Sequence, residues 1–227
     1  AGSGDVKEVI GELRRYSETL GQPLCLTAVP GKAMDILREN FGDSFTAEYD
    51  RDSSDYIYNS SDLISLAGKK YHGKRNHLAR FRELDAEFSL MTEKDFDDCI
   101  TFSAVTYNNK AASDDHSMLA EQFAINTYFN HFHELGLKGG VIRIGGKVAA
   151  FTIGEPLNSD TFCVHIEKAD TTYNGIYAGI NNLFAEAAAA DHKYINREED
   201  LGLEGLRRSK LSYHPAFLLD KYEVTFK

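Results

Sequence analysis

Two short charged runs, HIEKAD (165–170) and INREED (195–200), place Glu167, Lys168 and Asp170 near Asn196, Arg197, Glu198, Glu199 and Asp200 if both close neighbouring strands. A carboxylate so placed can take a proton from an attacking amine or hydroxyl. Arg197, Arg207 or Lys210 can hold a carboxylate or phosphate through charge-assisted hydrogen bonds. Arg207 and Lys210 are three residues apart, on one helix face. Tyr213, in the following SKLSYHP, is a candidate general acid for a leaving group. Glu167, Arg197 and Tyr213 are thus the candidate catalytic residues, with Lys168, Asn196, Arg207 and Lys210 as substrate ligands. The same side chains can instead make a salt-bridge network between the last helix and the sheet, with Asp200 as helix N-cap and Ser212 also structural.

A second concentration of charge, GKKYHGKRNHLARFR (68–82), holds Lys69, Lys70, Lys74, Arg75, Arg80 and Arg82 and no acid. It is a candidate phosphate clamp for tRNA, a nucleotide tail or a lipid headgroup, with Lys74, Arg75 and Asn76 at its centre, because each cation that meets a phosphate releases counterions. The plainer reading is a solvated helix face. With a net charge of −10 over 227 residues the chain is no DNA-coating protein, and an anionic membrane surface would repel most of it.

Three cysteines, Cys25, Cys99 and Cys163, are far apart in apolar or amphipathic stretches, as expected of buried free thiols in a reducing compartment. No apolar run approaches the roughly 20 residues of a membrane span, and AGSGDVKEVI lacks the regions of a signal peptide, so a cytoplasmic location is expected. His131 and His133 would point to different faces of a helix, His72 and His77 belong to the basic run, and no metal site is expected.

Helices and strands must position these groups. Asp5 caps a helix with apolar Val6, Val9, Ile10 and Leu13, followed by the strand PLCLTAV, the helix KAMDILRENF and a strand-rich SFTAEYDRDSSDYIYN with a polar interruption. From residue 86 the order is a strand, a helix opened by Thr92 with Asp95 in a capping-box arrangement, a second helix over 115–135, and a pair of strands around Gly145 and Gly146. TFCVHIEKAD is a further strand, and NGIYAGINNLFAEAAAADH, KYINRE, LEGLRRSKLSY and LDKYEVTF read as helix, strand, helix, strand. The chain repeats helix, strand, helix, strand at its two ends.

That order is similar to the GNAT (N-acetyltransferase-like) fold. KKYHGKRNHLARF, GKVAAFTIGE, VHIEKAD, YNGIYAGIN and NREEDLGLEGLRRSKLSYHP together resemble the phosphatidylglycerol lysyltransferase C-terminal-like family, from about Asp55 onward. The resemblance implies an α+β fold with a mixed sheet and tandem GNAT-like domains. Residues 1–85 would be the end of a first, N-terminally incomplete domain, and 86–227 a complete second one. It implies an acyl- or aminoacyltransferase, related in fold to Fem-type peptidyltransferases and to enzymes that move lysine from aminoacyl-tRNA to a membrane lipid. The donor would be aminoacyl-tRNA or acyl-CoA, and the acceptor an amine or hydroxyl of a lipid headgroup or small molecule. The alternative is a non-catalytic module binding an anionic metabolite or RNA.

In this fold the loop KADTTYNGIYAG would offer backbone amides at a helix N-terminus to a pyrophosphate, with Asn174 and Gly175 as ligands. The usual acetyltransferase pattern is Arg or Gln, two residues, Gly, one residue, then Gly or Ala. Aligned on Gly175 it meets Thr172 and Tyr177, and both depart from it. Tyr177 would crowd the backbone approach, which shifts the expectation from acyl-CoA towards aminoacyl-tRNA.

Overall fold

The Asp5 carboxylate accepts hydrogen bonds from the amides of Lys7 and Glu8 at 2.7 and 3.2 Å, so the first helix starts at the cap the sequence supplies. In the computed structural model, which describes residues 4–108 and 115–227 and the side chains outside 107–118, this helix is α1 (Val6–Thr19). There follow β1 (Cys25–Pro30), α2 (Gly31–Phe41), β2 (Phe45–Asn59), α3 (Ser60–Ser65), a 3-10 turn at Lys69–Tyr71 and α4 (His72–Phe81). Next come β3 (Ala86–Leu90), a 3-10 turn at Glu93–Asp95, α5 (Phe96–Asn108), α6 (Asp115–Asn130), β4 (Lys138–Ile144), β5 (Lys147–Pro156) and β6 (Thr161–Ala169). The chain ends with α7 (Ile176–Ala189), β7 (Tyr194–Asn196), α8 (Glu204–Leu211) and β8 (Phe217–Phe226).

Two compact units result, one of residues 1–56, 198–211 and 217–227, the other of 57–197 and 212–216. Residues 57–85, read from sequence as the end of a first domain, therefore belong with the second unit, and the last helix and strand with the first. In the first unit β8 lies between β1 and β2, pairing antiparallel with β1 through Cys25↔Thr225 and Val29↔Tyr222. Its core gathers Ile10, Val29, Met34, Leu37, Val224 and Phe226. The polar interruption expected near Asp50 does not break β2: the Asp50 carboxylate accepts from the amides of Asp52 and Ser53, and the strand continues to Asn59. Cys25 opens β1, a sheet edge, and is exposed, so of the thiols expected to be buried only Cys99 and Cys163 are.

In the second unit the strand order is the last three residues of β2, then β7, β6, β5, β4 and β3. The capping box forms as expected, with the Thr92 amide donating to Asp95 at 2.9 Å. Gly145 and Gly146, both at positive φ (56° and 77°), close the turn between β4 and β5, a conformation a two-residue hairpin requires at both positions. The core between the sheet and α5 and α6 is built from Met91, Cys99, Ile125, Phe129, Phe132, Leu137, Val141, Phe151, Ile153 and Ile166.

Among the described residues of this unit, only β6 and β7 are parallel neighbours, joined over α7 by the crossover that parallel strands need. They pair at three positions, Thr161↔Tyr194, Phe162↔Ile195 and Cys163↔Asn196, after which β7 stops and β6 runs on to Ala169. Beyond that point the two strands no longer pair.

Candidate active site

Glu167 stands where β6 still pairs with β5, opposite Thr152, but no longer with β7, and Arg197 follows β7 directly, so the two side chains meet beyond the end of the β6–β7 pairing. Arg197 Nη2 donates to Glu167 Oε1 at 2.9 Å, with the side chains only 11% and 12% exposed. Burial opposes the Arg197 charge, but Glu167, together with Tyr58 and Tyr213, outweighs it and the guanidinium pKa is raised. Asn181, on α7, donates from Nδ2 to Glu167 Oε2 at 3.2 Å, so each carboxylate oxygen has a fixed partner. Asn181 is 5% exposed, and its Oδ1 meets no hydrogen-bond donor among the described residues.

Tyr213 completes the wall. Its neighbour His214 contacts the Lys70 carbonyl through Nε2 at 3.1 Å and packs edge-on against the buried Tyr71 ring, and the Ala216 amide donates to Ile57 O at 2.8 Å. These contacts pin the 212–216 segment. The Tyr213 ring lies 5.0 Å from the Arg197 guanidinium and edge-on to Tyr58. Burial pushes the Tyr213 phenol up to about 12, with Arg197 opposing and Glu167 adding to the rise. The phenol holds its proton through the neutral range.

Lys74 reaches the same place from α4, its ammonium 3.7 Å from the centre of the Tyr213 ring. Burial and then Arg197 depress its pKa to about 8, against the pull of Glu167. α4 is held close by α7: Gly175, at φ 86°, presents no side chain to the His77 carbonyl, which a Cβ would meet at 2.1 Å. Gly179 similarly faces the Phe81 ring.

The structure thus gathers Glu167, Arg197, Tyr213 and Lys74, and sends the other sequence candidates elsewhere. Arg75 turns its Nη1 to the carbonyls of Leu66 and Gly68 at 2.5 and 2.7 Å, bracing the loop after α3. Asn76 is exposed and lies 3.3 Å from His72 Nε2. Lys168 pairs with Glu121 of α6 at 2.5 Å. Asn196 is buried at the end of β7, and Asn174 is exposed beside Gly175, whose conformation serves the close approach of α4.

Arg207 and Lys210 belong to the other unit. Arg207 clamps Asp200 through Nε and Nη2, both at 2.8 Å, and reaches Asp52 at 2.6 Å. Tyr56 donates to the same Asp200 at 2.5 Å. Lys210 donates to the carbonyls of Glu198 and Glu199. Asp200 is not the N-cap of α8, which begins at Glu204; its carboxylate accepts from the Gly202 amide at 2.9 Å and shapes the turn ahead of the helix. The charges expected to share one cleft divide between the two units, whose boundary falls between Arg197 and Glu198.

Sequence reasoning passed over Asn181 and Tyr58. Asn181 did leave a signal, since it and Asn182 interrupt an alanine-rich helix where both are buried. Asn182 donates to the carbonyls of Leu63 and Ile64 and so anchors α3.

Comparison with known proteins places this geometry. The fold superposes on a conserved protein of unknown function from Bacteroides thetaiotaomicron with a TM-score of 0.93 and 40% identity, covering 100% of this chain and 77% of that one. The L-PGS of Bacillus licheniformis superposes with a TM-score of 0.69 at 14% identity, over 96% of this chain and 72% of that one, a likeness of fold. In sequence, an uncharacterised protein of Mycoplasmoides gallisepticum is 26% identical over 176 residues, 76% of this chain, and the chain spans only 56% of that relative's length. The profile described as phosphatidylglycerol lysyltransferase, C-terminal, matches residues 1–225, and the chain belongs to that family.

Proposed function

We propose that the chain is an aminoacyltransferase of GNAT-like fold, moving an aminoacyl group from a tRNA ester to an amine or hydroxyl acceptor, such as a lipid headgroup. The observation that carries this reading is the largely buried cluster of Glu167, Arg197, Asn181 and Tyr213 where β6 and β7 cease to pair. A buried ion pair adds little net stability, so a ligand accounts for its presence there better than folding does.

Each Glu167 oxygen already has a donor, yet a carboxylate can accept further hydrogen bonds. Fixed in this way it suits the α-ammonium of an aminoacyl group. Tyr213, protonated at neutral pH, supplies the proton that the departing ribose oxygen needs as its bond to the carbonyl carbon breaks. The approach to the α7 N-terminus, where a CoA pyrophosphate would lie, is narrowed by the His77 carbonyl against Gly175 and by Tyr177 in the first turn. This favours tRNA over acyl-CoA as donor. The family description, a lysyltransferase, agrees with transfer of an aminoacyl group.

The test is consumption of radiolabelled aminoacyl-tRNA by the purified chain, with a simple amine and phosphatidylglycerol vesicles as acceptors, beside calorimetry with charged tRNA, uncharged tRNA, CoA and acetyl-CoA. Glu167→Gln is expected to abolish turnover and to remove any preference for charged over uncharged tRNA. Charged-tRNA binding without turnover in the wild type would favour the non-catalytic module. CoA binding with no tRNA preference would return the donor to acyl-CoA.

A further inference from the structure

Lys74 belongs by sequence to a basic run, but its surroundings are not those of a phosphate clamp. Lys69, Lys70, Arg75, Arg80 and Arg82 are exposed residues, whereas Lys74 is half-buried and turned onto the Tyr213 ring. No carboxylate lies within ion-pair distance of its ammonium among the described residues. Arg197, over the same ring at 5.0 Å, adds a like charge. Burial and the Arg197 charge penalise the ammonium while the ring face attracts it, and the balance brings loss of its proton down towards the neutral range.

We propose that Lys74 is the proton acceptor for the incoming nucleophile, its neutral amine poised on the face of Tyr213 where β6 and β7 cease to pair. The proposal rests on the transferase reading above and deepens it. The acceptor nitrogen or oxygen forms a bond to the ester carbonyl carbon and gives its proton to Lys74 Nζ. The bond from that carbon to the ribose oxygen breaks, and the oxygen takes the Tyr213 proton. Lys74 then returns its proton to Tyr213, directly or through water, so the site is restored without a net change.

The two groups are displaced in opposite directions, Lys74 down to about 8 and Tyr213 up to about 12, the pattern by which one site divides a base from an acid. Facing Lys74 are Tyr213 from the 212–216 segment, Arg197 after β7 and Glu167 on β6. On its own helix, Arg75 is turned to the loop carbonyls and His72 and His77 are exposed. Across from the helix start, His214 is engaged by the Lys70 carbonyl.

Two measurements on the whole chain test this. Competitive acetylation of lysines across pH, read by peptide mass spectrometry, reports the Lys74 titration whether or not transfer occurs. The expected midpoint is about 8, against about 10.4 for exposed lysines. The pH profile of kcat/KM for aminoacyl-tRNA consumption is expected to rise tenfold per unit up to about pH 8 and then level. Lys74→Met and Lys74→Arg are both expected to lose about 10²–10⁴-fold in kcat/KM, with charged-tRNA affinity within twofold of wild type. Arginine keeps the charge and the ring contact but cannot give up its proton. Wild-type activity in Lys74→Arg, or a labelling midpoint near that of exposed lysines, would overturn the proposal and make Lys74 a fixed cation. No donor consumption by the wild type, with Lys74 still titrating near 8, would sink the transferase reading and the proton-acceptor role with it, leaving the titration itself intact.

Discussion

Gly175→Ala separates the contribution of helix approach from that of backbone freedom. Gly175 sits at φ 86° and ψ 0°, and an added Cβ would lie 2.1 Å from His77 O and 3.0 Å from Phe81 N. Carbon and carbonyl oxygen ordinarily meet no closer than about 3.3 Å, so α4 must retreat by roughly 1 Å. A left-handed conformation costs a residue with a Cβ about 1–2 kcal/mol, and crowding a packed contact about 1–3 kcal/mol more. The expected loss is therefore about 2–5 kcal/mol. Gly146→Ala is the control: its φ is 77°, nothing lies within 4 Å of its Cβ position, and it belongs to the same unit, so it should lose only the conformational part. Urea unfolding followed by circular dichroism, with a common slope, gives both values. Because Lys74 lies one turn before His77 on α4, the retreat should also lower transfer by about 100-fold, as an ångström of misplacement can. If Gly175→Ala costs no more than Gly146→Ala, the close approach of α4 and α7 is wrong and the placement of Lys74 falls with it.

The Asp200 carboxyl is held well below the usual range, first by Arg207, against burial, and with help from Tyr56 and the Gly202 amide. A depressed folded value stabilises above the unfolded value of about 3.9 and is lost as pH falls towards the folded one. Asp200→Asn should therefore destabilise at neutral pH and show a flatter acid limb below about pH 4 in thermal melts, and an unchanged acid limb would refute this. Arg75→Ala should cost about 1–2 kcal/mol through the lost brace on Leu66 and Gly68, while charged-tRNA affinity stays put; a loss of affinity at full stability would restore Arg75 as a phosphate ligand. At pH 8 a thiol reagent should label exposed Cys25 in the native chain and Cys99, whose thiol burial pushes up to about 12, only after denaturation.

The order of elements was legible because caps, glycine turns and apolar periodicity are local. Thr92 with Asp95, Asp5, and the Gly145–Gly146 turn all act within a few residues. What was not legible was which distant segments share a core. Nothing in LDKYEVTF announces that it pairs with CLTAVP some 200 residues earlier, and nothing in HGKRNHLARF that its backbone lies against Gly175. The basic run misled for a related reason: charge is visible in sequence, direction is not. Lys74 and Arg75 are neighbours with the same sign, yet one faces an aromatic ring and the other a pair of carbonyls.

The charges crowded into INREED and the helix after it separate by how completely they are satisfied. Asp200 is fully buried and accepts from Arg207 twice, from Tyr56 and from the Gly202 amide. Both its oxygens are engaged more than once, so this cluster is closed and can do little but hold the turn before α8 in place. The Glu167 cluster is different. Each carboxylate oxygen has one donor, Asn181 Oδ1 has none among the described residues, and a cation rests on a phenol ring instead of a carboxylate. Buried polar groups left with capacity destabilise a fold unless something fills that capacity. Under the proposed function, a substrate bearing an ammonium, a carbonyl and a departing hydroxyl would do so group by group, which is the reason for proposing the open cluster and not the more heavily charged closed one as the site.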